Sequence, residues 1–199
     1  MIKMNSPWGQ THYVHYHGSD KLVVRVSTSE HGGIGVHPDV SMPLALACLG
    51  MTDDAGWRWF EEDLAWAIPV VALPERFPED WVTAARDTLR NEFPQAYMAH
   101  FSVVLTPKES RLLEQMEWDA ATRNRFTPTA GFGSEFYNVP PGTVWVAGLR
   151  LSDEATAGFL VPEVDYLASG SRLILDGFQR WEPDRTTSYR KPAPSVTGL

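Results

Sequence analysis

The chain reads as an α+β protein, and three observations predict this class. β-rich runs open and close the sequence, a helical stretch separates them, and the two kinds of element do not alternate regularly. The expected architecture is an antiparallel or mixed sheet built from N- and C-terminal strands, with a central group of about three helices. At 199 residues, 43% of them hydrophobic, the chain can bury a core without disulfides or metals. The expected organisation is a single α+β domain over 1–181, followed by a flexible tail over 182–199. That tail is rich in Pro, Ser, Thr and Arg and has no apolar period.

The elements follow in order. In HYVHYHGSDKLVVRV (12–26) two β-rich runs flank Gly18-Ser19-Asp20, which predicts a hairpin. SEHGGIGVHPD (29–39) follows as a glycine loop, with a short third strand around Ile34 to Val36. Pro43 is placed to start a short helix, with Gly50 beyond its end. RWFEEDLAWAIPVVAL (58–73) reads as helical. Phe60, Leu64, Ala67 and Val71 share one stripe, and Trp59, Glu62, Asp63 and Trp66 lie beside it. Pro69 is expected to kink or end that helix. A clearer helix spans Glu79 to Glu92, with Trp81, Ala85, Leu89 and Phe93 four residues apart and Pro94 as its stop. Thr106-Pro107-Lys108-Glu109 carries a capping box and predicts another, with Leu112, Leu113, Met116 and Ala120 as its apolar face. Past Asn124, FTPTAGFGSEF, TVWVAGLRL, GFLV and SRLILDGF return to β character.

Charge narrows the partners. A formal net charge of −8 opposes binding to a phosphate backbone, which needs a concentrated Lys/Arg surface, so no direct nucleic-acid partner is expected. It suits a soluble surface, or steering toward a basic protein. Eight tryptophans exceed ordinary usage, and any left outside the core would mark a protein interface. The single Cys48, inside LALACLG, is expected to be a buried thiol. No apolar run has signal-peptide or membrane-spanning character, so a cytoplasmic protein with no membrane partner is expected.

Three constellations offer chemistry. His15 and His17 share one strand face, and with His31, His37 and Glu62 or Asp63 they have the residue types of a Zn or Mn site. The competing account is a half-exposed aromatic and histidine sheet surface, and neither a metal nor another cofactor is expected. Glu61, Glu62 and Asp63 cannot all face one pocket on a helix, where successive residues turn by about 100°. Glu62 and Asp63 flank the tryptophans, where desolvation would make a carboxylate an acid or base. The alternative there is a helix start whose acids complement the dipole. HGGIG has the form of an esterase oxyanion loop, but the chain has no G-x-S-x-G elbow. GFGSEF lacks the third glycine of a dinucleotide fingerprint, and there is no Walker loop.

Six segments taken together resemble an uncharacterised domain family of phage, prophage and conjugative-plasmid proteins. They are SPWG (6–9), STSEHGG (27–33), GWRWFEEDLAW (56–66), LRNEFPQAYMAHF (89–101), VPPGTVWV (139–146) and FLVPEVDY (159–166). Here Arg58 and Trp59 stand between Gly56-Trp57 and the Phe-Glu-Glu-Asp run, where the family has a shorter Trp-Tyr-Glu-Glu-Asp, and Phe60 replaces the tyrosine. By position, His31, Gly32, Gly33, Glu61, Glu62, Asp63, Trp66 and His100 match its motifs. The resemblance implies a setting and no established activity.

Two function classes follow. In the first, the chain is a phage or mobile-element accessory protein in the bacterial cytoplasm. It binds a host protein or defence complex and inhibits it, with Trp57, Trp59, Trp118 and the tail as contacts and a homodimer as a further option. In the second, it is a small hydrolase or lyase acting on a nucleotide or signalling molecule, with His31, Glu62 and Asp63 catalytic and Gly32, Gly33 and His37 binding the ligand. A third account makes the HGG loop a scaffold element docked on the EED segment, with His31 bonded to a carboxylate. For that loop, scaffold is the expectation.

Overall fold

The computed structural model describes residues 4–169 and 172–184. They group into two compact units that divide after Met116, inside the helix Arg111–Thr122. The chain is α+β, with antiparallel strand pairing throughout.

The first unit opens with a two-residue pair, β1 (Asn5–Ser6) and β2 (Gly9–Gln10). The hairpin expected at Gly18-Ser19-Asp20 joins β3 (Tyr13–Tyr16) to β4 (Val23–Ser27). The glycine stretch is itself a strand, β5 (Gly32–Val36), wholly buried. After the short helix α1 (Leu44–Ala47) come β6 (Met51–Thr52) and β7 (Arg58–Glu61), giving the sheet order β3-β4-β5-β7-β6. Cys48 follows α1 and is exposed, not buried as expected, because Leu46 and Ala47 take the inward side of this single turn.

The segment 58–73 departs most from its expected helix. Trp59 and Phe60 are successive and both about 1% exposed. A strand covered on both faces accommodates that, since its side chains alternate between faces, and Arg58–Glu61 is such a strand. β5 also needs a partner for the backbone groups on its far side, and β7 supplies it. Helix begins only at α2 (Ala67–Ala72), where Pro69 sits in the first turn and its missing amide hydrogen costs no bond.

Both faces of the sheet are therefore covered. Val23, Ile34, Val36 and Phe60 pack on Ile68, Val70, Ala85 and Leu89, the last two from α3 (Glu79–Glu92), which forms over the expected residues. Val24, Val26 and Trp59 pack under Met4, Trp8, Val14 and Trp57. Pro94 ends nothing further: it opens α4 (Pro94–Phe101), after Phe93 breaks the helical path with φ −130° and ψ 53°. The Thr106 capping box forms, with Glu109 Oε2 accepting from the Thr106 amide at 2.8 Å, but it closes a single 3-10 turn over Pro107–Glu109. α5 (Arg111–Thr122) starts two residues later, and Leu112 and Met116 on its expected apolar face are 37% and 51% exposed.

In the second unit β8 (Phe126–Phe132), β9 (Thr143–Arg150) and β10 (Ala155–Pro162) form a meander. α6 (Glu163–Ser169) and β11 (Gln179–Arg180) complete it, in the order β11-β10-β9-β8. The expected shared sheet is thus replaced by separate ones. Neighbouring strands pair through short loops before distant ones can, and each set is closed among its own members. Of SRLILDGF, the described residues from Arg172 form no strand. Phe132, Phe136 and Trp145 stack in the meander, with Phe136 and Trp145 centroids 5.8 Å apart. Residues 185–199, most of the expected tail, lie outside the described residues.

The β3–β4 hairpin is tied down through Asp20 and Arg76. Two parallel hydrogen bonds of 2.9 and 2.7 Å join them, and Arg76 also donates to the His17 carbonyl at 3.2 Å. This pairing holds the Asp20 carboxyl down at about 2. His17 lies against Phe77 and Trp81, its Nε2 buried without a hydrogen-bond partner among the described residues. Burial first, then the neighbouring His15 and Arg25, lower its pKa below the ordinary 6.5. Between its lowered value and 6.5 the unfolded chain binds the proton and the folded one does not, so unfolding free energy rises with pH across that window. Urea unfolding at pH values on either side of 6.5 is expected to show a loss of stability on acidification that His17→Phe diminishes. An unchanged pH dependence in that variant would exclude His17 as its source.

Candidate functional site

The glycines of β5 are explained by what lies against them. A Cβ at Gly33 would run into the Phe60 carbonyl oxygen and the Trp8 ring, and one at Gly35 would lie 2.6 Å from the Trp59 indole. Gly32 faces the opposite side, where the Glu62 carboxylate covers it. The Glu62 amide donates to the Gly32 carbonyl at 3.1 Å, extending the β5–β7 pairing by one residue. The HGG and EED segments thus meet as adjacent strands. This is the scaffold arrangement, made through backbone pairing and not through His31.

His31 is exposed, and its ring makes no hydrogen bond among the described residues. Its backbone closes the β4–β5 turn, the amide donating to Thr28 Oγ1 at 3.2 Å and the carbonyl accepting from the same hydroxyl at 2.8 Å. His37 accepts from the Asp39 amide at 3.2 Å and meets Trp57 edge-on at 5.0 Å. Asp63 is exposed, its amide bonded to Glu61 Oε1 at 2.8 Å. Among the described residues no three His, Cys, Asp or Glu side chains are grouped to hold a metal ion.

The expected contact residues differ in burial. Trp57 is half-buried and stacks on Trp59 at 5.9 Å, and Trp118 is half-buried under the Arg172 guanidinium, 5.1 Å from its ring. Trp59 is a core side chain whose Nε1 donates to Asp53 Oδ2 at 2.8 Å, which removes it from any interface. Its register, directly beside Phe60 on a strand that both faces bury, requires this.

One cleft of about 300 Å³ lies between the sheet and α3, lined by Arg25, Gly33, Ile34, Glu62, Trp66, Asp80, Trp81 and Ala84. Gly33 and Glu62 bring the two sequence motifs into it. Trp66 meets Trp81 edge-on at 5.8 Å and an interplanar angle of 77°, so the two indoles form a corner. The Arg25 guanidinium lies 5.2 Å from the Trp81 centroid. Among the described residues Glu62, Asp80 and Arg25 form no ion pair, with each other or elsewhere. Sequence reasoning passed over Arg25, Asp80 and Trp81. Arg25 carried a signal: in VVRVS the two-residue period puts it on the same face as Val23, a cation at a core-facing register. Asp80 shows only as an acid in the first turn of a helix, and Trp81 only as the first residue of that helix's apolar stripe.

The fold and cleft define an α+β protein with a small aromatic and charged recess. The chain belongs to the family described as Domain of unknown function (DUF7007), whose match covers residues 1–123. That span takes in the five-stranded sheet and every residue lining the cleft, while the segments at 139–146 and 159–166 lie beyond it. No curated protein and no solved structure matches the chain. No helix among the described residues is long and apolar enough to cross a membrane.

Proposed function

We propose that this chain is an accessory protein of phages and mobile elements that binds a host protein in the bacterial cytoplasm and inhibits a defence system through it. The carrying observation is the cleft, where two tryptophans and three charged groups with no ion pair among the described residues converge while His31 and Asp63 lie outside its lining. Aromatic walls with adjacent charge are what protein hot spots use. The net charge of −8 adds steering toward a basic partner. The mobile-element setting rests on the resemblance of the six segments, and Trp57 and Trp118 remain candidate contacts.

The test is mass spectrometry of what co-purifies with the tagged full chain from its bacterial host. One host protein in stoichiometric amount is expected, retained by His31→Ala and depleted by Glu62→Arg, a charge reversal at an exposed position. No retained protein with the unsubstituted chain overturns the reading. The hydrolase or lyase alternative keeps one favouring observation, that Gly33 and Glu62 line the same cleft. A co-purifying nucleotide that is lost with Glu62→Ala would turn the argument to it.

A further inference from the structure

We infer that the cleft is a receptor for one basic side chain, an arginine or lysine of a partner protein; this rests on the binding reading above and specifies its chemistry. Three features of the recess point the same way. Its walls are two indoles set as a corner, the Trp66 and Trp81 rings 77° apart, offering one face and one edge to a flat or tapered group. Indole faces attract cations through the ring quadrupole, and more strongly where water is partly excluded.

The second feature is the protein's own demonstration of that affinity. Arg25 reaches the recess from β4 and lays its guanidinium 5.2 Å from the Trp81 centroid, with no carboxylate paired to it among the described residues. A cation therefore already rests on this ring, with no ion pair among the described residues to hold it there. The third is charge. The carboxylates of Glu62, one residue past β7, and Asp80, in the first turn of α3, both line the recess without a hydrogen-bond partner among the described residues. Two carboxylates against one guanidinium leave the cleft net negative, like the chain as a whole. An incoming cation would find an aromatic wall for its apolar stem and two acceptors for its head, a division that long basic side chains suit.

Arg25 makes the inference directional. It competes for the Trp81 face and repels a second cation, so removing its charge should strengthen binding of a basic ligand and weaken binding of an acidic one. Arg25→Met keeps the length of the aliphatic stem while deleting the charge. Glu62→Gln and Asp80→Asn, at exposed positions, remove the acceptors' charge with little change of shape.

The experiment titrates the ¹⁵N-labelled full chain with Nα-acetyl-arginine methylamide and follows the indole N–H resonances of Trp66 and Trp81, with the uncharged citrulline analogue as control. Saturable shifts of both indoles are expected with the arginine amide and none with citrulline. Each carboxamide variant should weaken binding by roughly two- to five-fold, the range of exposed ion pairs, and Arg25→Met should tighten it. Unmoved indoles, equal shifts from citrulline, or weaker binding in Arg25→Met would each overturn the inference. If the indoles stay unmoved while the tagged chain still retains its host protein, this inference fails and the binding reading stands; if arginine binds but no host protein is retained, the reverse holds.

Discussion

Replacing Trp59 by alanine is expected to cost about 3–5 kcal/mol of unfolding free energy, the range for removing a fully buried large aromatic. Trp59 is 1% exposed, fills the space over Gly35, stacks on Trp57 and meets Trp8 edge-on at 5.9 Å. Gly35 has no side chain to collapse into the vacancy. The Asp53 carboxylate also loses its bond to the indole Nε1, while its other oxygen keeps the Ala55 and Trp57 amides at 2.9 Å. Trp59→Phe separates the two contributions. It retains much of the packing and forfeits the hydrogen bond, so it should cost less, with about 0.5–1.5 kcal/mol for the bond itself. Equilibrium urea unfolding of the three proteins measures both. A loss under about 1 kcal/mol for the alanine variant would place Trp59 outside the core, since surface substitutions stay near ±0.5 kcal/mol.

Gly33→Ala is the second large effect, and it reads the glycine stretch directly. The added Cβ would meet the Phe60 carbonyl oxygen, a backbone atom of β7, as well as the Trp8 ring. A ring at the end of a side chain can tilt away, but a carbonyl in a paired strand cannot move without parting β5 from β7. Overpacking of this kind costs about 1–3 kcal/mol and occasionally more, and the upper part of that range is expected here. Gly177→Ala is the control: nothing lies within 4 Å of its built Cβ. Its expected change is within about 0.5 kcal/mol. If Gly33→Ala matched the control in urea unfolding, the glycines would need an explanation other than packing.

The same contacts show why the glycine loop at 29–39 admits two readings as a sequence. A His-Gly-Gly run after an apolar strand has the form of a place where backbone approaches a ligand. In this fold the close neighbours of Gly33 and Gly35 are Trp8, Trp59 and the carbonyl of Phe60. The demand for glycine is identical whether an oxyanion or an indole lies above it, and nothing within the eleven residues distinguishes the two. The tryptophan surplus was the clue, since most of the large rings needed somewhere to be buried. The helix at 79–92 and the hairpin at 18–20 were legible because their signals are local: a four-residue apolar period in one, a turn triplet between alternating runs in the other.

By itself the sequence determined the α+β class, the acidic balance, the lack of a nucleophile elbow or phosphate loop, and the membership of a family that the matched segment shares. Each depends on composition or on neighbours within a few residues. Tertiary structure alone decided that Arg58–Glu61 is a strand, that Trp59 is core and Cys48 is not, and that Arg25, Glu62, Asp80 and two tryptophans line one recess. The physical reason is pairing. RWFE can form a helix or a strand by its own preferences, and the unpaired edge of β5, distant in the chain, selects the strand. Once that register is set, Glu62 turns toward Gly32 and α3, and the cleft follows from it.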